Sequence, residues 1–216
     1  MYEEKCKTMI RADIADGLKS DIARGQLEPG QRLVEIRLCE RFGVGRTKIR
    51  EALRTLESEG FVKIIPNIGA LVLELSQKEI EQIYDLIGTL EGLAVRVATP
   101  HIAEKEINEI EKLVDGMEAS VDLLKFFHWN MKFHTFLDQL SENSRLVKFN
   151  QNLRAQANRI SLRSFYNPGQ IKASLKEHRQ ILSTIKERDP AKAEKAIRKH
   201  YLQSKNRLVK YLNKSL

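Results

Sequence analysis

Between residues 44 and 60 the apolar positions follow a helical period. Ile49, Ala52, Leu53 and Leu56 fall three and four residues apart, the spacing of one buried helix face. Beside that stripe Arg46, Arg50 and Arg54 form a ladder at four-residue intervals, with Thr47 and Lys48 at the helix start. One flank can pack on its own domain while the next meets a nucleic-acid backbone. A solvated basic face on an ordinary helix has the same local pattern, so the neighbouring elements decide.

Upstream, Ile10, Ile14, Leu18 and Ile22 predict a first helix, broken by a turn at Pro29-Gly30. A short second helix is predicted from about Glu35 to Phe42, and Gly43 ends it in a tight turn. Downstream, Phe61–Ile65 and Ala70–Glu74 read as two strands around Pro66-Asn67-Ile68-Gly69. Helix, helix, recognition helix and two-stranded wing is the order of a winged helix-turn-helix, with Asn67 and Gly69 shaping the wing tip.

From Ser76 onward the period is helical throughout. Ile80, Ile83, Tyr84, Ile87 and Leu90 begin a helix that ends before Pro100, and Ile107, Ile110, Val114 and Met117 define the next. Four more are predicted over 121–141, 144–166, 170–188 and 190–213, the last two bounded by Asn167-Pro168-Gly169 and Asp189-Pro190. Six amphipathic helices with short connections imply an antiparallel bundle. The fold class is mostly α: a winged helix-turn-helix over residues 1–75 and an all-α domain over 76–216.

Three bundle helices carry polar side chains where the core should be. Leu123, Phe127, Met131, His134 and Leu137 share an apolar arc, and Asn130 lies within it, one turn before His134. His178 sits among Leu175, Ile181, Leu182 and Ile185; His200 sits among Ala193, Ala196, Ile197 and Ser204. A lone inward histidine is usually a hydrogen-bonded core residue. Three of them with an Asn would cost several kcal/mol, on the order of 2 or more per unpaired group, unless a hydrogen-bond cluster or a shared divalent metal satisfies them.

Residues 8–74 closely resemble the GntR family of bacterial transcription regulators. The resemblance is carried over residues 8–74 by Leu27-x-Pro29-Gly30-x-x-Leu33, Gly43-Val44-x-Arg46-Thr47-x-x-Arg50-Glu51-Ala52-Leu53, Gly60-Phe61-Val62 and the wing Gly69. Gly45 stands where that family usually has Ser or Thr, and Lys48 where it has Pro. The first loses a capping hydroxyl and the second adds a cation.

Residues 76–216 are similar to the FCD effector domain of the FadR/VanR branch, in its shorter, VanR-like form. Asn130-x-x-Phe133-His134 with Asn143, Glu177-His178-Arg179-x-Ile181-Leu182, Asp189-Pro190-Ala191-x-Ala193 and His200 carry that likeness. It implies a divalent transition metal (Zn, Ni or Mn) held by Asn130, His134, His178 and His200, beneath a pocket for a small, often carboxylate, effector. Asn130 stands where Asp is common, which implies weaker binding or a different metal. Ile87 stands where many such domains have an Arg that pairs with a ligand carboxylate. Arg154, Arg159 or Arg163 of the fourth bundle helix could substitute, although long cations there are otherwise expected at the surface. Asn150, Gln156 and Ser161 on the same helix are candidates to line a polar pocket.

Charge adds one distinction. The 216 residues carry a formal net charge of +8, yet residues 145–216 hold 18 Lys and Arg against 4 Asp and Glu, while residues 76–144 hold 6 against 13. The C-terminal excess complements the acidic middle segment, attracts an anionic effector, or is solvated helix face; Lys192, Lys195, Lys199 and Lys205 on polar sides of their helix favour the last. Cys6 and Cys39 provide no disulfide framework, and Cys39 is expected in the core. No apolar run approaches the roughly 20 residues of a membrane span, and the charged start is no secretory signal, so a cytoplasmic protein is expected.

These readings converge on a ligand-responsive transcription regulator. Its partners are double-stranded DNA with a palindromic operator, a small-molecule effector and a second copy in a homodimer. Arg46, Thr47 and Arg50 are the expected base and phosphate contacts, with Arg54, Lys48 and Arg37 as further backbone contacts. The alternative is a metal-dependent hydrolase fused to a DNA-binding module. Against it, no Asp or Glu is expected inward near the ligands as a general base, the nearest being Asp138 at the edge of its arc.

Overall fold

The computed structural model describes residues 11–121, 123–165 and 169–213, without the side chains of residues 11–13, 23, 124, 158, 159 and 161–164. The chain divides into two compact units with the break between Ser76 and Gln77. In the first, α1 (Arg11–Ala23), α2 (Glu35–Phe42) and α3 (Arg46–Ser58) precede β2 (Val62–Ile65) and β3 (Gly69–Val72), and a two-residue strand β1 (Arg32–Leu33) lies between α1 and α2. Ile10 and Cys6 lie outside the described residues.

Local chemistry explains these elements. Ile14, Leu18 and Ile22 of α1 are buried four residues apart, Ile49, Ala52, Leu53 and Leu56 of α3 are buried at spacings of three and four, and the two helices pack together. Gly43 stops α2 at φ 64° and donates its N–H to the Cys39 carbonyl, a left-handed conformation in which a side chain would be strained. Helix α3 restarts after Gly45, which supplies no side-chain cap. At the wing, Asn67 (φ 64°) and Gly69 (φ 104°) both take left-handed backbone to reverse the chain.

The sheet has three strands rather than the expected two, in the order β1-β3-β2, all antiparallel. Strand β1 pairs Arg32 with Leu71 and Leu33 with Ala70. A two-residue strand is too short to show a period, so the pattern of hydrophobic positions could not reveal it. Cys39 is half-buried rather than a core residue.

The second unit is the helical bundle: α4 (Gln77–Ala98), α5 (Glu104–Glu118), α6 (Leu123–Gln139), α7 (Ser144–Ser164), α8 (Gln170–Lys186) and α9 (Pro190–Leu212). Asp189 starts α9, its carboxylate accepting from the N–H groups of Ala191 at 3.1 Å and Lys192 at 3.0 Å, with Pro190 in the first turn. Helices α4 and α9 approach closely because α4 carries Gly88, where a Cβ would stand 2.9 Å from Cβ of Tyr201. On the other side of α4, Leu86, Leu93 and Val97 are 52%, 43% and 51% exposed, an apolar seam in alternating steps of four and three once half-buried Leu90 is included. Among the described residues no helix is long and apolar enough to cross a membrane.

The inward arc of α6 is rotated from the expected one. Phe126, Asn130, Phe133, His134, Leu137 and Asp138 are buried, whereas Leu123, Phe127 and Met131 are half-buried. The helix packs against α4, α5 and α7 together, so its covered surface is wider than a single stripe.

Candidate functional site

In the first unit, α3 turns its apolar side to α1 and leaves Arg46, Thr47, Lys48, Arg50 and Arg54 exposed on the other. Arg37 on α2 and Asn67 at the wing are exposed as well. Arg50 is tied back: its Nε lies 3.0 Å from both carboxylate oxygens of Glu35, the first residue of α2. The two helices thereby share a charge pair on the basic side of the domain.

In the second unit, α6, α8 and α9 bring one ring nitrogen each from His134, His178 and His200 within 4.8 Å of one another, all three side chains buried. Each Nδ1 is already engaged. His178 Nδ1 donates to the Ser174 carbonyl at 2.6 Å, His134 Nδ1 to Oε1 of Glu91 at 2.7 Å, and His200 Nδ1 to Oε2 of Glu177 at 2.8 Å. A carbonyl and two ionised carboxylates only accept, so the protons sit on Nδ1 and the Nε2 lone pairs are bare. Those of His134 and His178 face each other at 3.3 Å.

Electrostatics maintain that state. Burial, with His200 and His134 close by, holds the His178 imidazole well below its ordinary pKa, and burial lowers His134 despite the neighbouring Glu91. Burial alone would raise both glutamates. His134, Arg154 and the Tyr201 hydroxyl bring Glu91 below the usual carboxylate value, and Arg207 with His200 does the same for Glu177. Neutral rings with facing lone pairs fit a divalent cation, which needs deprotonated nitrogen donors held by outer partners. Asn130, one turn before His134, is buried and has no side-chain hydrogen bond among the described residues, leaving its amide oxygen available as a further ligand.

Behind the histidines lies a buried ionic network. Glu91 is fully buried and accepts from Arg154 Nη1 at 2.6 Å and the Tyr201 hydroxyl at 2.8 Å. The other Arg154 nitrogen pairs with Asp138, also fully buried, and Asn150 donates to Asp138 at 2.7 Å. This corrects two expectations. Arg154 is an interior residue because two carboxylates neutralise it, and Glu91 and Asp138 are inward acids where none was expected.

A cavity of about 60 Å³ adjoins this cluster, lined among others by Ile87, Asn130, His134, Arg154, His200 and Arg207. Asn150 and Gln156 are not on its wall, since Asn150 is turned to Asp138. The side chains of Arg159, Ser161 and Arg163 lie outside the described residues. His101 and His128 are exposed and apart from the cluster.

Comparison with known proteins decides the kinship. Residues 10–72 match the gntR family of bacterial regulatory proteins, and residues 82–203 match the FCD domain, more than half of the chain. The chain belongs to the GntR family. It is 28% identical over 188 residues to YdhC of Bacillus subtilis, an HTH-type transcriptional regulator, covering 85% of this chain and 84% of the relative. It is 26% identical to the transcriptional repressor RspR of Escherichia coli, covering 85% and 82%. The structure of E. coli McbR/YncC superposes with a TM-score of 0.82 at 21% identity over 95% of this chain and 99% of that one.

This GntR-family member is therefore a DNA-binding transcription regulator with an effector-binding FCD domain, and not an enzyme. The hydrolase alternative finds no support among the relatives. Its chemistry is also weak here: Glu91 and Asp138 are each committed to Arg154 and its neighbours, leaving neither as a base toward the cavity. Glu91 was not among the expected site residues, yet it interrupts an apolar α4 stripe between Ile87 and Val95 at four-residue steps, a signal visible in the sequence.

Proposed function

We propose that this regulator binds its operator as a homodimer through α3 and the wing, and that a small acidic effector seated beside a divalent ion in the bundle changes operator affinity. Residues 1–75 form the DNA-binding domain and 76–216 the effector domain. Arg46, Thr47 and Arg50 meet bases and phosphates, Arg54, Lys48 and Arg37 meet the backbone, and Asn67 with Gly69 presents the wing. Asn130, His134, His178 and His200 hold the ion.

The observation that carries the effector reading is the close approach of three buried histidines beside a cavity that His134 and His200 line. The other charges around the cavity are already balanced: Arg154 by Glu91 and Asp138, and Arg207 by Glu177. With Ile87 in place of an arginine clamp, the ion supplies the uncompensated positive charge that draws an anionic group. Arg154 instead shapes the wall and fixes Glu91, which orients His134. Neutral polar groups at Gln170 and Ser204 complete the lining.

The apolar α4 seam supports the homodimer reading, because exposed leucines at alternating steps of four and three suit pairing with the same helix of a second copy. A two-fold dimer would match a palindromic site. The absence of a membrane-crossing helix among the described residues accords with a cytoplasmic regulator.

The test uses full-length protein, chelator-stripped or reloaded with Zn, Ni or Mn, screened by thermal shift against small mono-, di- and tricarboxylates. Hits are then titrated against duplex DNA selected by the protein from a randomised library. Linkage requires that a ligand which shifts DNA affinity have its own affinity shifted by DNA through the same factor. The expected response occurs only in metal-loaded protein; an equal response in stripped protein would separate the pocket from the histidines.

A further inference from the structure

Among the three arginines of the α3 ladder, Arg50 alone has a carboxylate partner within the described residues. Glu35 takes it in an unusual way. Both of its oxygens sit 3.0 Å from Nε, the edge of the guanidinium nearest the arginine stem, while no bond among the described residues engages the Nη atoms. The Arg50 side chain is 61% exposed, so the terminal Nη pair is left facing solvent. Resting on the reading that α3 meets DNA, we infer that Glu35 is a specificity-determining positioning residue, which holds Arg50 by Nε so that its Nη pair reads a base edge.

Two physical consequences separate this role from a merely structural one. An arginine anchored through Nε loses little further rotamer freedom when its Nη donors meet the two acceptors of guanine, so the correct base is favoured. The paired carboxylate also cancels the arginine's charge at long range, so Arg50 adds little to sequence-independent attraction by phosphates. Glu35 thus suppresses non-specific binding while sharpening the specific contact. A second influence of Glu35 is local, since an acidic group in the first turn of α2 stabilises that helix whatever Arg50 does.

The experiment selects duplexes from a randomised library with full-length wild type, Arg50→Ala, Glu35→Gln, Glu35→Asp and the Glu35→Gln/Arg50→Ala double variant, with melting curves for each. Arg50→Ala should relax the preference at one base position per half-site. Glu35→Gln should relax that same position at least about fivefold and steepen the salt dependence of non-specific binding by about one unit in log–log slope. Glu35→Asp keeps the charge but shortens the reach, so it should relax the position without altering the slope. In the double variant the Glu35→Gln effect on the preference should vanish. Selectivity unchanged in Glu35→Gln and Glu35→Asp, while Arg50→Ala loses it, overturns the inference; additive effects in the double variant do so too. Arg50→Ala with wild-type affinity and preference would instead overturn the assignment of α3 to the groove, and the inference with it.

Discussion

His134 and His178 point bare Nε2 atoms at each other across 3.3 Å, each ring fixed by a hydrogen bond at its Nδ1. A proton between them would create a buried imidazolium, which the lowered pKa of both rings opposes. Adding Zn, Ni or Mn to stripped protein should therefore raise the melting temperature, by about 2.7 kcal/mol of stability at a hundred times the dissociation constant. His178→Ala should lose most bound metal by mass spectrometry and respond weakly in the melt. Wild-type protein that stays metal-free with all three ions would leave the histidines as a core cluster.

Arg154→Ala should be among the most damaging substitutions in the bundle. It strands Glu91 and Asp138, both fully buried, without their shared cation. Breaking a buried pair costs about 3–5 kcal/mol, to be read from urea unfolding followed by far-ultraviolet circular dichroism. A loss below about 1 kcal/mol, the range of an exposed pair, would contradict the burial described for Arg154.

Arg54 has no ion-pair partner among the described residues and lies at the outer end of the ladder. As a backbone contact it should weaken binding to all duplexes alike when changed to Ala, and lower the salt slope by about one. Gel-shift titrations at several salt concentrations measure both, and a change confined to one sequence would reassign Arg54 to base reading.

Leu93→Lys places a charge in the α4 seam, where Leu93 is 43% exposed and makes little core. Sedimentation should show a shift from dimer to monomer with the fold intact. A dimer of unchanged strength would move the homodimer contact elsewhere.

Asp189 caps α9 through two backbone N–H groups, and these bonds hold its pKa below the usual aspartate value. A lowered folded-state pKa means stability that is present above the unfolded value of about 3.9 and lost as pH falls through the folded one. Asp189→Ala should lower the melting temperature by a few degrees near pH 7, and the gap between variant and wild type should narrow below pH 4. A gap independent of pH would assign the loss to packing.

The parts legible in the sequence were those written in short-range spacing. The α3 stripe with its arginine ladder, the left-handed turn at Gly43 and the Asp189-Pro190 helix start are all local. The three inward histidines were legible for the same reason, each being central to its own helical stripe. What spacing could not supply was pairing between helices. Arg154 reaches Glu91 across 63 residues of sequence, and an arginine on a mixed helix face looks the same whether or not two carboxylates await it. The rotated arc of α6 was hidden likewise, because a helix covered from three sides does not have one hydrophobic stripe.

The histidine cluster also bears on how the bundle comes apart. His134 and His178 are 44 residues apart in sequence, and His200 belongs to the last helix. An ion shared by the three would tie α6, α8 and α9 into closed loops, restricting the unfolded chain as a disulfide does but reversibly and under the control of metal supply. The second half of the bundle would then resist proteases in metal-replete conditions and open in metal-poor ones. The amount of intact regulator would then follow the supply of that ion.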